Sequence, residues 1–584
     1  MKKVTNQENQ LNKIRHSLSH LMATAVLKKF PKTHLAIGPT IENGFYYDFD
    51  LPKDQKISDE DLPKIEQEMK KLIKRKIEFK KSEVSKKEAL KNIKGPYKKE
   101  LLNELAKKIT FYQSADFIDL CAGPHVKSTA EINPQTFKLT KVAGAYWRGD
   151  EKNKMLTRIY GVAFTTKKQL DHYLKMIKEA EERDHRKLGK DLQLFIIDPL
   201  VGNGLPLFLP KGTIIRNELM NYLQEEQIKR GYQYVTTPHI GKLELYKTSG
   251  HYPYYKDSQY PPFKIDNEKF LLKPMNCPHH ITIYQAEKHS YKELPIKLAE
   301  CGMVYRYEKS GELNGLIRVR GFTIDDAHIF ATEQQIEKEF LGVVDLVLAI
   351  FKVLDFKNYW VRIGTHDPAS KKHVGDDKIW EKAEKIIIKT LKDKFDYTIE
   401  KGDAAFYGPK MDFMVKDVLD REWQLGTVQL DFNLPQRFNL TYIDNKGKEK
   451  RPVIIHRAPF GSLERFIGIL IEHFGGNFPL WLAPVQVKII SVGSAHLKYC
   501  EELAEKFQRE NIRVEIDCQN ETVGNKIRKS IKEKIPYLLV IGDKEMKSDN
   551  LAVRIRGQKK LWEVKLTDFI NKSKKLITER KNEL

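Results

Sequence analysis

Hydrophobic patterning changes character twice along the 584 residues, and the two changes set how many folding units the chain holds. Residues 167–190 (KKQLDHYLKMIKEAEERDHRKLGK) place apolar positions at helical spacing inside heavy charge, the pattern of a solvated connecting helix. Before it, residues 53–108 are charged and helix-rich, and residues 137–163 read as strands around AGAYWRGD. From 191 to about 482, long strands mix with helices. After Ala483-Pro484 strands and helices alternate: VQVKIISV, a helix over 495–510, IRVEID, a helix from about Thr522, YLLVIG, and a further strand at LAVRIR (551–556). That alternation predicts a small layered α/β domain. The expected fold class is α+β multidomain, with segments 1–166, 167–185, 186–482 and 483–584, in keeping with about 100–200 residues per domain.

No run approaches the ~18 apolar residues of a spanning helix. The best candidate, 340–354, is cut by Asp345 and Lys352. The first residues, MKKVTNQENQLNKIRHS, lack the apolar core of a secretory signal. Five cysteines (Cys121, Cys277, Cys301, Cys500, Cys518) are too few and scattered for a disulfide framework. A cytoplasmic, reducing location is the expectation, with no membrane partner, and each cysteine becomes a candidate for metal binding or catalysis. Lys+Arg exceeds Asp+Glu by 102 to 79, a net charge of +23 that favours a polyanionic partner, although a lysine-rich surface also serves simple solvation.

Three constellations could carry chemistry. Cys277 lies in KPMNCPHH, His328 in DDAHIF and His456 in VIIHR. One thiolate and two imidazoles suit a zinc ion that keeps a position open for substrate. The three are far apart in the chain, lone Cys and His residues often fill cores, and His279, His280 and His289 are local rivals. The second constellation is Arg306 in VYRYE with Arg318 and Arg320 in GLIRVRGFT. The alternation in LIRVRGF is strand-like and would put Arg318 and Arg320 on one face. Arg306 and Arg318, with Phe322 nearby, could grip phosphates and stack a base; the alternative is a solvated hairpin. There is no GxxxxGK[ST] loop, and GDAAFYGPK (402–410) misses the spacing, so bound ATP would have to be held by arginine side chains. The third is His16 and His20, four apart on a helix face, with Cys121 and His125 in CAGPH. They could close a structural zinc site, form a metal-free hydrolytic pocket whose histidines position water, or simply lie on the surface.

The motifs RHSLSH, IENGFYYDFD, CAGPHV, AGAYWRGD, KPMNCPHH, VYRYEKSG with GLIRVRGFTIDDAHIF, AFYGPKMDF, WQLGTVQLDFNLPQRF and IIHRAPFGSLERFIGILIEHFGG follow one another from about Arg15 onwards. In that order the chain resembles the threonyl-tRNA synthetases, a class II aminoacyl-tRNA synthetase family. The resemblance implies an N-terminal α+β editing domain (1–166), a linker helix (167–185), a catalytic core built on the class II antiparallel sheet (186–482) and a C-terminal α/β anticodon-binding domain (483–584). It implies a ligase that activates L-threonine with ATP, transfers it to tRNA(Thr), and hydrolyses mischarged seryl-tRNA(Thr) in the N-terminal site. GYQYVTTPH (231–239), with Pro238, resembles the dimer-forming motif 1, so a homodimer is expected. Arg306 and Glu308 resemble motif 2, and Arg465 in GSLER resembles the arginine of motif 3.

By the same resemblance Cys277, His328 and His456 hold one zinc ion per subunit, and Mg²⁺ accompanies ATP. Arg306 meets the α-phosphate, and Arg318 and Arg465 meet the triphosphate tail. Phe322 stacks adenine against Arg465, while Glu308, Gln424 and Thr427 fix the nucleotide. Met275, Arg306, Asp326, Tyr407, Gln429 and Ser462 surround threonine, Asp326 as acceptor for its hydroxyl proton. Arg306 and Lys410 stand at the reacting centre. Ile324 stands where some relatives carry glutamine, which removes a side-chain contact to the threonine carboxylate there. A chain starting almost at the editing motif is expected to lack the small ubiquitin-like domain that relatives often carry.

Zinc gives this scheme its selectivity. Valine matches threonine in shape, and a site that demands a hydroxyl rejects analogues lacking it by roughly 10⁴–10⁵. Serine keeps the hydroxyl and loses a methyl worth only about 1–3 kcal/mol, so a second, hydrolytic site is required. His16, His20, Lys98, Asp119, Cys121 and His125 are assigned to it. It is expected to work without metal; zinc is the alternative, because related alanine-editing domains bind it. Asn520, Glu545 and Arg554 are expected to read anticodon bases, and Lys526, Arg528 and Lys529 to touch phosphate. Rival readings are a synthetase for proline or serine, a standalone deacylase needing only the first domain, and a non-enzymatic RNA-binding regulator. Asp326 beside the metal triplet argues against the first, and the arginine motifs against the other two.

Overall fold

Helix α1 (Asn6–Lys29) buries Leu18, Leu21, Met22, Ala25 and Val26, a stripe at spacings of three and four. The stripe packs on strand β1 (Gly44–Asp50) and on α2 (Leu62–Lys74), whose own apolar face closes the same core. The computed structural model describes residues 6–93, 95–104, 109–370, 373, 375–392, 394–417 and 421–584; residues 94 and 105–108 of the stretch read as helix-rich lie outside the described residues. Contacts divide it into two compact units, Met1–Lys178 and Glu179–Leu584.

In the first unit, β2 (Phe79–Val84) precedes α3 (Pro96–Glu104), and β3 (Ile109–Ser114) and β4 (Phe117–Leu120) follow. β2, β3 and β4 form an antiparallel sheet that leads directly into Cys121-Ala-Gly-Pro-His125. The strands foreseen around AGAYWRGD are present as β5 (Phe137–Tyr146) and β6 (Met155–Ala163), and β6 pairs with both β5 and β1. Gly38 lets the chain press on the Tyr47 ring: a Cβ there would stand 2.1 Å from Cδ2.

The connecting helix is broken. α4 (Lys167–Arg183) ends at Asp184, whose carboxylate accepts from Arg186 N at 2.8 Å and caps the separate helix α5 (His185–Asp191). A competing N-cap overrides the helical period there.

The second unit holds an eight-stranded sheet: β7 (Gln233–Tyr234), then, after helix α6 (Cys277–Gln285), β8 (Ile296–Tyr305) and β9 (Gly321–Ala331). Helix α7 (Ile336–Val353) separates these from β10 (Tyr359–Thr365), β11 (Tyr397–Lys401), β12 (Lys410–Lys416), β13 (Glu422–Asp431) and β14 (Val453–Ala458). The spatial order is β7-β8-β9-β14-β13-β12-β10-β11, antiparallel except for the two edge pairs. Its two faces differ as strand alternation requires. Ala327, Ile329, Met411, Phe413, Val428, Val453 and Ile455 face a core filled by α7 and by α8 (Leu463–Phe474). Burial of each large one contributes roughly 1.5–3 kcal/mol. On the other face one rung runs His328–His456–Gln429–Lys410, and Asp412 opposes Thr427 on the next.

LIRVRGF is not a strand before Gly321. Residues 314–318 form a turn with one bridge, Asn314 to Arg318, and Gly315 takes φ 50° where a Cβ would stand 2.1 Å from His185 Nε2. The apolar–polar alternation is met, but the glycine turn overrides it.

The C-terminal part follows the predicted alternation: β15 (Val487–Ser491), α9 (Leu497–Arg509), β16 (Val514–Asp517), α10 (Val523–Lys532), β17 (Tyr537–Ile541) and β18 (Asn550–Ile555). Thr522 caps α10. β19 (Trp562–Lys565) and α11 (Leu566–Thr578) complete it and were not foreseen. The sheet order is β16-β15-β17-β18-β19. Arg513 fastens it to the part that carries the large sheet by donating to the Trp481 carbonyl at 2.6 Å, the Ala483 carbonyl at 3.0 Å and Glu218 at 2.6 Å.

Candidate active sites

The polar face of the large sheet floors a cleft of about 610 Å³. Every residue assigned from sequence to zinc, ATP or threonine lines it except His328, which lies fully buried just beneath; Arg320 of the second constellation does not line it. β9 and β14 bring His328 and His456 opposite each other, and α6 begins at Cys277. The ligand atoms of these three residues lie within 4.8 Å of one another. His328 Nε2 and His456 Nδ1 are buried and have no hydrogen-bond partner. The other nitrogen of His456, Nε2, donates to Asp431 Oδ2 at 2.9 Å. Burial, reinforced by Asp326 and Asp431, raises the Cys277 thiol well above its ordinary value, and burial, reinforced by His456, His280 and Arg457, lowers His328 well below its own. Two orphaned imidazole lone pairs and a buried thiol converging beneath an open cleft fit a zinc-type cation with one position left for substrate.

Around this point Asp326 accepts from Asn276 Nδ2 at 3.2 Å, and burial raises its carboxyl. Tyr407 stacks on His456 at 4.6 Å between centroids and donates to Gln429 Oε1. Met275, Ile324 and Ser462 complete this end, and Ser462 Oγ caps α8 by accepting from Arg465 N at 3.3 Å. At the other end the Arg306 guanidinium lies 5.2 Å from the Phe322 ring centre. Arg318 rests on Glu308 at 2.8 Å and Glu312 at 2.9 Å. Burial lowers the pKa of Arg465.

Sequence reasoning missed the groups that hold these side chains. Asp412, fully buried, gathers Lys410 Nζ at 2.8 Å, Arg362 Nη2 at 3.1 Å, Gln424 Nε2 at 2.9 Å and Thr427 Oγ1 at 2.8 Å. Asp325 accepts the backbone amides of Phe460 at 2.7 Å and Gly461 at 3.0 Å, which ties the turn before α8 to β9; burial pushes its carboxyl up to about 8. His185 ties α5 to the Arg306–Arg318 loop: Nδ1 donates to Glu472 at 2.6 Å, and Nε2 accepts from Leu316 N at 3.1 Å. The legible signal was a lone Asp in otherwise apolar strand text, MDF and QLDF, because buried carboxylates are rare unless paired.

The N-terminal cluster forms from α1, α3 and the segment after β4. Cys121 Sγ lies 3.2 Å from His16 Nε2 and 3.3 Å from His125 Nε2. His16 Nδ1 faces the Pro124 carbonyl at 3.2 Å, so it carries the proton. Ser17 gives its hydroxyl proton to the Lys13 carbonyl at 2.8 Å, so His125 Nδ1, 3.1 Å away, also carries its proton. Both histidines therefore aim lone pairs at the thiol. Burial lowers the pKa of both imidazoles, and of His20, and pushes the Cys121 thiol up to about 11. Asp119 binds Lys98 at 2.6 Å and the Tyr47 hydroxyl at 2.6 Å, with His20 Nε2 at 3.8 Å. Tyr47 was not foreseen. The four His and Cys ligand atoms lie within 4.8 Å, so this cluster too could hold a metal.

In the C-terminal domain Asn520 and Glu545 follow β16 and β17, which flank β15 in parallel, at the carboxyl end of the sheet. Arg554 stands opposite Leu538, near the start of β17, and is not placed beside them by the register. Glu545 also caps its own turn, accepting from Gly542 N at 3.0 Å. Lys526 is not a phosphate contact. It is 2% exposed, and its ammonium donates to the carbonyls of Ser491 at 2.9 Å and Asp517 at 3.2 Å, so it is the buried member of an otherwise basic face. Arg528 is exposed, and Lys529 pairs with Glu521.

Comparison with known proteins gives three family matches. Residues 262–474 match the family described as tRNA synthetase class II core domain (G, H, P, S and T), 486–576 an anticodon binding domain, and 109–160 the threonyl and alanyl tRNA synthetase second additional domain. A threonine–tRNA ligase of Thermus thermophilus is 53% identical over 589 residues, covering 97% of this chain and 89% of that protein. One from Synechococcus elongatus is 50% identical over 589 residues, covering 99% and 97%. A crystal structure of the RNA binding domain of threonyl-tRNA synthetase from Cryptosporidium parvum is similar with a TM-score of 0.65 at 38% identity, covering 69% of this chain and 99% of that one.

Proposed function

Because the chain belongs to the threonyl-tRNA synthetases and is a class II threonine–tRNA ligase, we propose that its two clusters divide that task between synthesis and correction. The family uses ATP with Mg²⁺. In the cleft the threonine carboxylate attacks the α-phosphorus, pyrophosphate leaves, and threonyl-adenylate remains for a terminal ribose hydroxyl of tRNA(Thr). Negative charge grows on phosphate oxygens in the transition state, and preorganised cations are the effective answer. Arg306 meets the α-phosphate, Arg318 and Arg465 the triphosphate tail, and Lys410 the reacting centre. ATP would draw Arg318 from Glu308 and Glu312, its present partners. Phe322 receives the adenine, and Gln424 and Thr427, fixed on Asp412, orient the nucleotide.

The observation that carries this reading is the pair of orphaned nitrogens, His328 Nε2 and His456 Nδ1, converging with Cys277 beneath the cleft. These residues would hold one zinc ion, which when bound supplies a Lewis-acid site for the amino group and hydroxyl of threonine and leaves valine one ligand short. Asp326, Tyr407 and Gln429 position the amino acid beside it. Asn520, Glu545, Arg554 and Arg528 are assigned to the anticodon stem-loop.

The N-terminal cluster hydrolyses seryl-tRNA(Thr), with His16, His125 and Cys121 positioning water and Lys98, held by Asp119, countering charge on the ester oxygen. The family match over residues 109–160 fits editing of mischarged tRNA. A zinc ion in this cluster is the second reading, favoured by its four convergent ligands. The segments 1–166, 167–185, 186–482 and 483–584 are assigned to editing, linker, catalysis and anticodon binding. A homodimer through the segment around Pro238 and a cytoplasmic location complete the proposal; among the described residues no helix is long and apolar enough to cross a membrane.

ATP–pyrophosphate exchange over a panel of amino acids, combined with metal analysis, tests this. Threonine should stimulate exchange, valine should not, and about one zinc per chain should be found. Equal stimulation by valine would overturn the selectivity argument, and two zinc ions per chain would replace the metal-free editing site with the second reading.

A further inference from the structure

Behind His328 runs a buried chain of polar side chains that the synthetic chemistry does not use. His328 Nδ1 lies 2.8 Å from His280 Nδ1, and His280 Nε2 lies 3.2 Å from Glu300 Oε2. Glu300 accepts from Thr237 N at 2.8 Å and from the Thr237 hydroxyl at 2.9 Å. Lys273 Nζ donates to Thr237 Oγ1 at 2.7 Å. His280, His328 and Lys273 are 0% exposed, Glu300 6% and Thr237 7%. The parts come from separate places in the fold. Thr237 follows β7, Glu300 is on β8 and His328 on β9, while His280 sits one turn after Cys277 on α6.

With both imidazoles neutral, protons along this chain have one consistent placement. The ammonium of Lys273 only donates, so Thr237 accepts from it and gives its own hydroxyl proton to Glu300. The Glu300 carboxylate only accepts, so His280 carries its proton on Nε2. Neutral His280 then has its lone pair on Nδ1, and His328 must supply the proton from its own Nδ1. Neutral His328 is left with its lone pair on Nε2, the atom that faces Cys277 and His456 without a partner. His456 reaches the same condition directly, through Asp431.

We propose that Glu300 and His280 are positioning residues for the metal, a carboxylate–histidine relay that fixes His328 in the tautomer baring Nε2 to zinc. The relay rests on the reading of Cys277, His328 and His456 as a zinc site. Outer partners of this kind, when removed, typically cost 10–100-fold in metal affinity. Only a carboxylate presents acceptors both to Thr237 and to His280. A carboxamide at 300 must turn its NH₂ to one of them, and turned towards His280 it reverses the relay and puts a proton on His328 Nε2.

The test is Zn²⁺ affinity of the full chain, measured by competition with a chromophoric chelator, for wild type, Glu300→Gln, His280→Leu and His280→Gln. Thermal unfolding of the chelator-stripped proteins is followed in parallel. Glu300→Gln and His280→Leu should bind Zn²⁺ about 10–100-fold more weakly. His280→Gln should stay within about threefold of wild type, because its carbonyl can accept from His328 while its NH₂ donates to Glu300. A wild-type chain that binds no Zn²⁺ would sink the zinc reading itself. Wild-type binding with Glu300→Gln undiminished would sink the relay alone. So would a His280→Gln chain as weak as His280→Leu while both stripped proteins unfold at the wild-type temperature.

Discussion

Replacing Asp412 with asparagine should disable the cleft without dismantling the sheet. Four donors converge on this carboxylate: Lys410 at 2.8 Å, Arg362 at 3.1 Å, Gln424 at 2.9 Å and Thr427 at 2.8 Å. A carboxamide offers one oxygen. Whichever pair it serves, the other pair meets an NH₂ and turns away, so either Lys410 or Gln424 and Thr427, proposed above to orient the nucleotide, leave their places. Removing one partner of a buried ion pair costs about 3–5 kcal/mol. Here the loss is partly offset, because Asp403 stands 3.2 Å from Lys410 and 3.4 Å from Arg362 and can take up both cations. About 2–3 kcal/mol remains, which at 1.36 kcal/mol per decade is a 30- to 150-fold fall in kcat/KM for ATP. Threonine-dependent ATP–pyrophosphate exchange measures it, with thermal unfolding as the control on folding. The companion Asp403→Asn, whose side chain is 38% exposed, should cost less than about fivefold. An Asp412→Asn enzyme within threefold of wild type, or an Asp403→Asn enzyme equally impaired, would refute the reasoning.

Three further outcomes follow from other parts of the molecule. A thiol whose pKa is raised to about 11 stays protonated at neutral pH, so iodoacetamide labelling of Cys121 should be slow at pH 7 and rise about tenfold per pH unit up to that value; fast, pH-independent labelling read by mass spectrometry would contradict the buried neutral thiol. His185→Leu removes the side-chain hydrogen bonds to Glu472 and Leu316 N and leaves a buried carboxylate with Arg421 and the residue-185 backbone amide, which should lower stability by about 2–4 kcal/mol and raise the KM for ATP by loosening the loop that carries Arg318; an unshifted thermal midpoint would count against it. Stripping metal with a chelator should abolish threonine-dependent exchange but leave hydrolysis of seryl-tRNA(Thr) intact, and loss of both activities together would show that the two clusters share a metal requirement.

The C-terminal domain was legible because its signal is local. Each strand and helix declares itself within one window, and β15, β16 and β17 are neighbours in both sequence and space. The large sheet was not. β9 pairs with β14 across more than a hundred residues, and no periodicity inside either strand says which partner it takes. LIRVRGF shows the same limit at short range. It satisfies strand alternation, but Gly315 and the close approach of His185 make it a turn, and His185 is a contact from far upstream. The break at Asp184 was readable, since Asp before an amide two residues on is an ordinary N-cap. Lys526 erred in the opposite direction. On a helix rich in basic residues it looks like one more surface charge, and only its position against β15 reveals two carbonyls waiting for it.

The motifs placed the reactive residues but could not say what each thiol and imidazole does, because that is set by partners outside the motifs. The two clusters use the same donor types, yet their surroundings differ in charge. In the cleft each imidazole directs its one N–H towards a carboxylate, His456 directly to Asp431 and His328 through His280 to Glu300. Such backing raises ligand basicity and favours a cation between the open lone pairs. In the N-terminal cluster His16 and His125 hand their protons to neutral acceptors, the Pro124 carbonyl and the Ser17 hydroxyl. Its one carboxylate, Asp119, is held by Lys98 and Tyr47. With His16 and His125 unbacked by carboxylate, and His20 no nearer than 3.8 Å to Asp119, this thiol and three imidazoles hold a cation less firmly and are better suited to orienting a neutral water. On this argument the choice between metal and water at two chemically similar clusters follows from which acceptor each histidine meets on its far side.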